Sequence, residues 1–163
     1  MKPDATCKVQ RGVTLAELLI VIAIAAILAA LAGPSFTDFI NRTRLNSQVS
    51  QLVSDLNRAR SESIKRNTAV LLCVRADDAT CGNTTDWQNG WLVCVDVGST
   101  ACTTPVAVHA PLPATLTLTG PANGIQFRPN GSSGLGAATL TAGGTGLDNK
   151  IIQVSVTGNI SRP

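Results

Sequence analysis

Residues 13–32 read VTLAELLIVIAIAAILAALA, and this stretch decides how the rest of the chain is organised. From Leu18 to Ala32 it holds fifteen consecutive apolar residues, and only Thr14 and Glu17 interrupt the apolar pattern before them. Leu, Ile and Ala favour helix, and about 20 residues of apolar helix span the hydrocarbon core of a bilayer. The stretch therefore predicts a helix long and apolar enough to cross a membrane.

The residues in front of this helix predict its orientation. Met1–Gly12 contains Lys2, Lys8 and Arg11 against the single acid Asp4. Because basic residues flanking a membrane helix stay on the cytoplasmic side, we expect a cytoplasmic N-terminus and export of everything that follows the helix.

Three interpretations fit a basic segment followed by an apolar one. The first is a secretory signal peptide, for which Ala30-Leu31-Ala32 supplies a cleavage site of the A-x-A type, and the second is a plain transmembrane anchor. The third is a short leader that is cut after Gly12, so that the helix stays in the mature protein. Glu17 favours the third, because a carboxylate costs about 2.5–3.5 kcal/mol near the membrane centre and neither of the other two needs one.

Residues 11–22, RGVTLAELLIVI, resemble the class III leader of type IV pilins and type II secretion pseudopilins. The resemblance implies that a prepilin peptidase cuts after Gly12 and methylates the new first residue, Val13, where the family usually has Phe. Glu17 is then the fifth mature residue, and Pro34 occupies the position of a proline common in the family. In that family the glutamate carboxylate meets the N-terminal amine of a neighbouring subunit during filament assembly.

A second helical pattern follows Gly33-Pro34. Apolar residues recur at three- and four-residue steps, which predicts an amphipathic helix of about thirty residues that Pro34 bends rather than ends. One face of this helix must pack on the remaining chain. The predicted buried residues are Ile40, Leu45, Val49, Leu52, Val53, Leu56, Ala59 and Ile64.

Charge is sparse and unevenly distributed. Charged residues make up only 14% of the chain, which excludes a disordered polyelectrolyte, and the formal net charge is +3. Residues 37–67 carry six basic and three acidic side chains, whereas residues 68–163 carry four basic and five acidic ones. The basic helix predicts a solvated face, with a phosphate-contacting face as the alternative.

Beyond residue 67 the periodicity changes to two, and Gly-, Pro-, Asn- and Thr-rich turns separate short apolar segments. The chain thus divides into a leader (1–12), a membrane or filament-core helix (13–33), an amphipathic half-helix (34–67) and a β-rich part (68–163). The predicted fold class is α+β. The predicted strands are 69–74, 91–96, 116–118, 125–127, 138–141 and 151–156.

Four cysteines remain in the exported part once Cys7 is removed with the leader, and an oxidising compartment favours their pairing. Four cysteines allow three connectivities. Both local spacings are C-x7-C across a turn, so we expect the disulfides Cys73–Cys81 and Cys94–Cys102, each contributing about 2–3 kcal/mol. A metal site is not expected, because the chain has no C-x2-C pair and only one histidine, His109.

Four stretches of the exported part carry a second resemblance. In order, they are residues 59–67 (ARSESIKRN), 70–73 (VLLC), 87–93 (WQNGWLV) and 125–131 (IQFRPNG). They are similar to the GspH/FimT family, which holds the type II secretion pseudopilin H and the FimT and FimU minor pilins. The resemblance implies a type IV pilin fold, a long N-terminal helix on antiparallel β-sheet, in a minor subunit near a filament tip.

The same resemblance implies partners and location. The helix would contact other minor pilins or pseudopilins and the major pilin, after contact with the prepilin peptidase, membrane lipid and an inner-membrane assembly platform. We expect a single-pass inner-membrane protein with a periplasmic globular part, which later enters a pilus or pseudopilus. A pilus subunit is the favoured interpretation, and a type II secretion pseudopilin is the alternative.

An enzyme is not expected, and neither is a cofactor, because the chain shows no Ser/His/Asp arrangement, paired carboxylates or phosphate-binding loop. Trp87 and Trp91 are assigned to core packing, Asp77-Asp78 to an exposed loop, and His109 to a surface connector.

DNA binding is the rival function from another class. Some FimT proteins capture DNA through a C-terminal G-R-x-R motif, and residues 158–162 (GNISR) are the matching stretch. The sequence departs from that motif, since Asn159 replaces the first arginine and Arg162 comes one place late. Arg162, Lys150 and Arg128 are the candidate residues of a small basic patch, which would bind DNA weakly and in a salt-sensitive manner.

Overall fold

The structure, a computed structural model, describes residues 12–95, 101–102 and 104–162, and for residues 30–35 the backbone only. The predicted leader lies outside these residues apart from Gly12. The chain forms two compact units, Met1–Thr37 and Asp38–Pro163, each of which is described by itself.

One helix, α1, spans Leu15–Arg66. The helix continues through Pro34, so this proline does not end it, in agreement with the sequence. In the first unit the large apolar side chains of α1 are exposed, from Leu15 at 76% to Leu19 at 52%. Within the described residues, no helix has the combination of length and hydropathy that a membrane span requires.

In the second unit α1 buries one stripe. Leu45, Val49, Leu52, Leu56 and Ala59 are at most 4% exposed, as the periodicity predicts. Their spacing of three and four residues places them on one helix face.

The prediction for the end of this stripe is wrong. Ile64 is 52% exposed, and Ser63 is the residue that is fully buried. Ser63 continues the spacing by four from Ala59, and its hydroxyl lies 3.0 Å from the carbonyl oxygen of Arg128 and donates a hydrogen bond to it. The helix meets backbone carbonyl groups here instead of apolar side chains, so a small donor fits where Ile would not.

A left-handed residue ends α1. Asn67 has φ 51°, and the next residue, Thr68, donates its backbone N–H to the carbonyl of Ser63 while Asn67 donates to Ile64. These two bonds satisfy carbonyl groups that the helix end leaves free. In the same turn, the hydrogen bond from Arg66 lowers the pKa of Glu62 below its usual value.

Within the described residues, nine strands follow α1 and are arranged in two antiparallel sheets. The first sheet has the order β2-β1-β3-β4, with β6 also paired to β1, and the second has the order β5-β7-β8-β9. The strands are β1 (Val70–Asp77), β2 (Thr80–Cys81), β3 (Trp91–Val95), β4 (Pro105–Val108), β5 (Leu116–Thr119), β6 (Ile125–Phe127), β7 (Ala138–Gly144), β8 (Leu147–Val154) and β9 (Ile160–Ser161).

The sequence predicts six of these strands and misses β2, β4 and β9. All three are short and lie at or near a sheet edge, where one partner strand is enough and the apolar alternation is too brief to detect. The prediction also starts β8 four residues late, at Ile151, because polar residues Asp148, Asn149 and Lys150 form its first half.

One apolar core joins α1 to both sheets. Trp87, Trp91 and Phe127 are its largest fully buried side chains among the described residues, so the tryptophans pack in the core as expected. The indole Nε1–H of Trp91 donates to Asp55 at 2.9 Å, and Asp55 is itself only 5% exposed. A buried carboxylate of α1 thereby receives a partner from the first sheet.

His109 is not the surface connector that the sequence predicts. Its ring is half-buried and stacks on Trp91, with ring centroids 3.8 Å apart and an interplanar angle of 11°. The physical reason is β4, which the sequence misses, because its pairing with β3 continues to His109, whose N–H donates to the carbonyl of Trp91.

Two glycines bring the second half of the unit onto α1. Gly131 and Gly158 both have φ of +77°, and a Cβ on Gly158 would overlap the carbonyl oxygen of Gly131. The same oxygen accepts a hydrogen bond from Nε of Arg60 at 3.0 Å. This contact positions the turn that leads into β9.

We expect Asp55→Ala to destabilise the chain by about 1–3 kcal/mol, because it leaves the buried N–H of Trp91 without an acceptor. Asp55→Asn keeps an oxygen at this place and should cost less. In a Trp91→Phe background, Asp55→Ala should cost less than in the wild type. Urea unfolding followed by circular dichroism measures all four variants, and equal costs in both backgrounds would show that the bond is not formed.

Gly158→Ala should destabilise the chain more than Gly146→Ala does. Both residues have a left-handed backbone, with φ of +77° and +72°, so both substitutions carry that conformational cost of about 1–2 kcal/mol. A Cβ on Gly146 meets no described atom within 4 Å, which makes this variant the matched control. Thermal melts compare the two, and an equal loss of stability would rule out the close approach to Gly131.

Candidate functional site

A capping box opens α1 and contains the predicted assembly residue. The carboxylate of Glu17 accepts hydrogen bonds from the backbone N–H and the hydroxyl of Thr14, both at 2.9 Å. In return, the hydroxyl of Thr14 accepts from the N–H of Glu17 at 3.3 Å. This reciprocal pattern satisfies free N–H groups at a helix start, and the T-x-x-E spacing signals it in the sequence. Sequence reasoning missed Thr14.

The predicted processing residues lie next to this box. Gly12 and Val13 line a shallow cavity together with Glu17, Ile20 and Val21. A Cβ on Gly12 would meet no described atom within 4 Å, so packing against the described residues does not require glycine there.

The structure pairs Cys73 with Cys81 and Cys94 with Cys102, the pairing that the spacing predicts. The two bridges lie together on the first sheet, where they form a small apolar cluster with Leu92 and Leu71. The Sγ atoms of Cys73, Cys81 and Cys94 lie within 4.8 Å of one another. Sulfur atoms in disulfides carry no thiolate charge, so this grouping is a pair of adjacent disulfides in the oxidised chain.

Two of the three predicted basic residues line one groove between α1 and the second sheet. Lys150 of β8 and Arg162, just after β9, surround a cavity of about 350 Å³ with Asn46 and Val49 of α1. An adjoining cavity shares Asn46 and Lys150 and adds Arg42 and the acid Asp148. We call these two cavities the basic groove.

The charges of the basic groove lack ion-pair partners within the described part of the chain. The salt bridges found there are formed by Glu62 and Asp78, and none involves Arg42, Lys150 or Arg162. Three cations against one carboxylate leave the groove positive. The sequence places Arg42 only in the basic run of α1, for which a phosphate-contacting face is the alternative, and it does not single out Asn46. The packing of α1 on β8 brings both to the strand residues.

Arg128 does not line this groove, so the predicted grouping of Arg128 with Lys150 and Arg162 is wrong. Its carbonyl oxygen accepts from Ser63, and its guanidinium donates to the carbonyl of Gly134 at 3.2 Å. Ser63 lies fourteen residues beyond Val49 on α1, which is about 21 Å along the helix axis. Arg128 therefore sits near the opposite end of the helix packing.

The exposed acidic residues Asp77 and Asp78 interact with residues of their own turn. Asp77 accepts a hydrogen bond from the backbone N–H of Ala79, which lowers the pKa of its carboxyl group. Asp78 pairs with Arg75 at 3.2 Å. The single histidine is stacked on Trp91 instead of facing a nucleophile.

Two family models match the chain. The model described as type II transport protein GspH covers residues 48–158, and the prokaryotic N-terminal methylation motif covers residues 7–33. The second match contains Gly12, Val13 and Glu17. Together the two models extend over most of the chain.

Relatives and solved structures agree with these matches. A fimbrial protein of Pseudomonas aeruginosa is 47% identical over 57 residues, which is 35% of this chain and 36% of that protein. The type IV major fimbrial protein FimA of Dichelobacter nodosus is 54% identical over 41 residues, 25% of this chain and 26% of that protein. The chain thus matches about a third or less of the length of these relatives.

The crystal structure of the type IV minor pilin FimU of Pseudomonas aeruginosa superposes with a TM-score of 0.63 at 23% identity, covering 77% of this chain and 92% of that one. The chain accordingly has the α+β fold of a type IV minor pilin, with a long N-terminal helix and antiparallel sheets. With the GspH model matching more than half of its length, the chain belongs to the GspH family of minor pilins and pseudopilins.

Proposed function

We propose that the chain is a minor subunit of a type IV pilus, held in the inner membrane by α1 until it enters the filament near its tip. The observation that carries this proposal is the exposed apolar start of α1, with Glu17 five residues after the predicted cleavage point. The globular part would be periplasmic. Its partners would be other minor pilins, the major pilin and the assembly platform, after processing by the prepilin peptidase.

The exposed apolar residues of α1 require a cover that the described part of the chain does not supply. Residues 13, 15, 18–22, 24 and 27–28 are each more than half exposed. At about 25 cal/mol per Å² of apolar surface, leaving such a helix in water is strongly unfavourable. Lipid would cover it before assembly, and the helices of neighbouring subunits would cover it afterwards.

Glu17 would set the register of that assembly. A charged carboxylate in an apolar environment is unfavourable without a partner. In the single chain Thr14 supplies two hydrogen bonds but no positive charge. An N-terminal amine of a neighbouring subunit would supply it, and unlike charges attract strongly in a low dielectric.

A structural role is proposed in preference to an enzymatic one. The buried carboxylate Asp55 accepts a hydrogen bond from Trp91, and the four cysteines among the described residues are in disulfides. These side chains support a rigid domain, since each is already held by a partner in the core or the sheet.

Glu17→Gln should abolish or strongly reduce incorporation into surface filaments while the membrane level of the protein stays unchanged. Asp38→Asn removes one negative charge from an exposed site further along the same helix and is the matched control. Filaments sheared from cells that produce each variant in place of the wild type are compared by immunoblot. Wild-type incorporation of Glu17→Gln would contradict the proposed assembly role.

A deletion strain distinguishes a pilus subunit from a secretion-system subunit. Deletion of the gene should abolish twitching if the subunit serves a pilus. Loss of exoprotein release with normal twitching would instead assign the chain to type II secretion, the alternative proposal.

DNA binding is a second proposed function, and the basic groove is the observation that favours it. Lys150, Arg162 and Arg42 line adjoining cavities with their charges unpaired in the described part of the chain. Each cation that contacts a phosphate releases a counterion from DNA. Three contacts would produce weak binding with a moderate salt dependence.

Arg162→Ala and Lys150→Ala should each weaken binding of the full chain in detergent to a fluorescent DNA duplex at low salt. Each should also reduce the slope of log K against log salt by about 1. Arg128→Ala removes the same charge outside the groove and should leave affinity unchanged. No binding of the wild type at low salt, or an equal effect of Arg128→Ala, would reject the groove as a DNA site.

A further inference from the structure

The two disulfides lie close enough for thiol–disulfide exchange between them once one of them has been opened to a thiolate. Cys94 is bonded to Cys102, and its Sγ lies within 4.8 Å of both sulfur atoms of the Cys73–Cys81 bridge. Thiol–disulfide exchange needs only the approach of a thiolate to a neighbouring disulfide sulfur, through which bonds are broken and made in one step. Side-chain rotation and a local shift of the two strands would close the remaining distance.

The strand register explains this proximity. In the pairing of β1 with β3, Cys73 lies opposite Leu92, and Leu71 lies opposite Cys94. Residues two apart on a strand share a face, so Cys73 and Cys94 are diagonal neighbours on the same face of the sheet. They face the small apolar cluster and not the main core.

Burial distinguishes the four sulfur positions. Cys73, Cys94 and Cys102 are at most 3% exposed, whereas Cys81 is half-buried at the sheet edge. A thiolate is better solvated when it is more exposed, so Cys81 is the position where a leaving thiolate costs least. The same exposure makes Cys81 the most accessible sulfur for an external thiol.

We propose that the two disulfides form an exchange pair. In this pair, thiol–disulfide exchange converts the observed pairing into one that contains a Cys73–Cys94 cross-link between β1 and β3. An external dithiol attacks Cys81, forms a mixed disulfide with it and releases Cys73 as a thiolate. Cys73 then attacks Cys94, the Cys73–Cys94 bond forms, and Cys102 leaves as a thiolate. The number of disulfides is unchanged in each of these two steps. Attack of the dithiol's second thiol on the mixed disulfide then releases Cys81 as a thiolate, and the dithiol is oxidised as the protein loses one disulfide.

Through this exchange, opening of the Cys73–Cys81 disulfide at the β1–β2 hairpin would break the Cys94–Cys102 disulfide, which holds the segment before β4. Cys102 is tethered to the sheet by its disulfide, and the adjacent Ala101 bridges Thr80 of β2. Release of Cys102 removes that covalent tether, while the new Cys73–Cys94 bond joins β1 to β3. The inference concerns the disulfides alone and is independent of whether the subunit serves a pilus or secretion.

Cys102→Ser tests the exchange by leaving Cys94 as the attacking thiol. In the oxidised, folded full chain, the majority of molecules should carry a Cys73–Cys94 bond and a free thiol at Cys81. Alkylation at acidic pH traps the thiols. Cleavage after Arg75 and at Asp86 then places Cys73, Cys81 and Cys94 in three separate peptides, whose cross-links are read by mass spectrometry.

Cys81→Ser should form the same Cys73–Cys94 bond, starting from the Cys94–Cys102 disulfide. This variant is used if Cys102→Ser does not fold. Cys73 is then the free thiol, and exchange should again produce Cys73–Cys94, now with free Cys102. Because Cys102 is more buried than Cys81, this variant should exchange to a smaller extent. Retention of Cys73–Cys81 with free Cys94 in folded Cys102→Ser, or of Cys94–Cys102 in Cys81→Ser, would overturn the proposal.

A denatured sample shows whether the fold directs the exchange. After incubation of Cys102→Ser in guanidinium chloride, the preference for Cys73–Cys94 should disappear. All three pairings among Cys73, Cys81 and Cys94 should then be found. The same preference in the folded and the denatured chain would attribute it to sequence spacing and would contradict the role of the strand register.

Discussion

The burial of one stripe of α1 beneath two sheets is the interaction on which the globular unit depends. Leu45, Val49, Leu52, Leu56 and Ala59 are almost completely buried, and side chains of both sheets pack against them. The second half of the unit must therefore fold back onto the helix, which the contact of Gly158 with Gly131 and Arg60 makes sterically feasible.

The same helix has a different role before residue 38. Its apolar side chains there are exposed, and the first turn is stabilised by Thr14 and Glu17 instead of by packing. An apolar surface of this extent predicts a partner of similar apolarity. The proposed passage from lipid to filament follows from that requirement, and the proposed amine partner of Glu17 on another subunit would neutralise its charge.

The sheets also bring together groups that are far apart in the chain. Lys150 and Arg162 meet Asn46 in the basic groove because β8 and β9 are neighbours and α1 packs beside them. Cys73 and Cys94 become diagonal neighbours through the register of β1 and β3. The sequence predicts the pair Lys150 and Arg162 and the two disulfides. Strand pairing and helix packing add Asn46 to the first site and bring Cys73 beside Cys94 in the second.

The sequence by itself determined the apolar run with Glu17, the amphipathic spacing of α1, six of the nine strands and the two C-x7-C pairs, because each depends on residues close in the chain. It placed Ile64 and His109 wrongly and grouped Arg128 with distant cations, because burial and proximity there depend on what packs opposite. Only the tertiary structure decided that Ser63 closes the stripe on a backbone carbonyl, that Asp55 is satisfied by Trp91, and that Arg42 and Asn46 join Lys150 and Arg162. Such contacts join residues far apart in the chain, and local periodicity carries no information about which distant element supplies the partner.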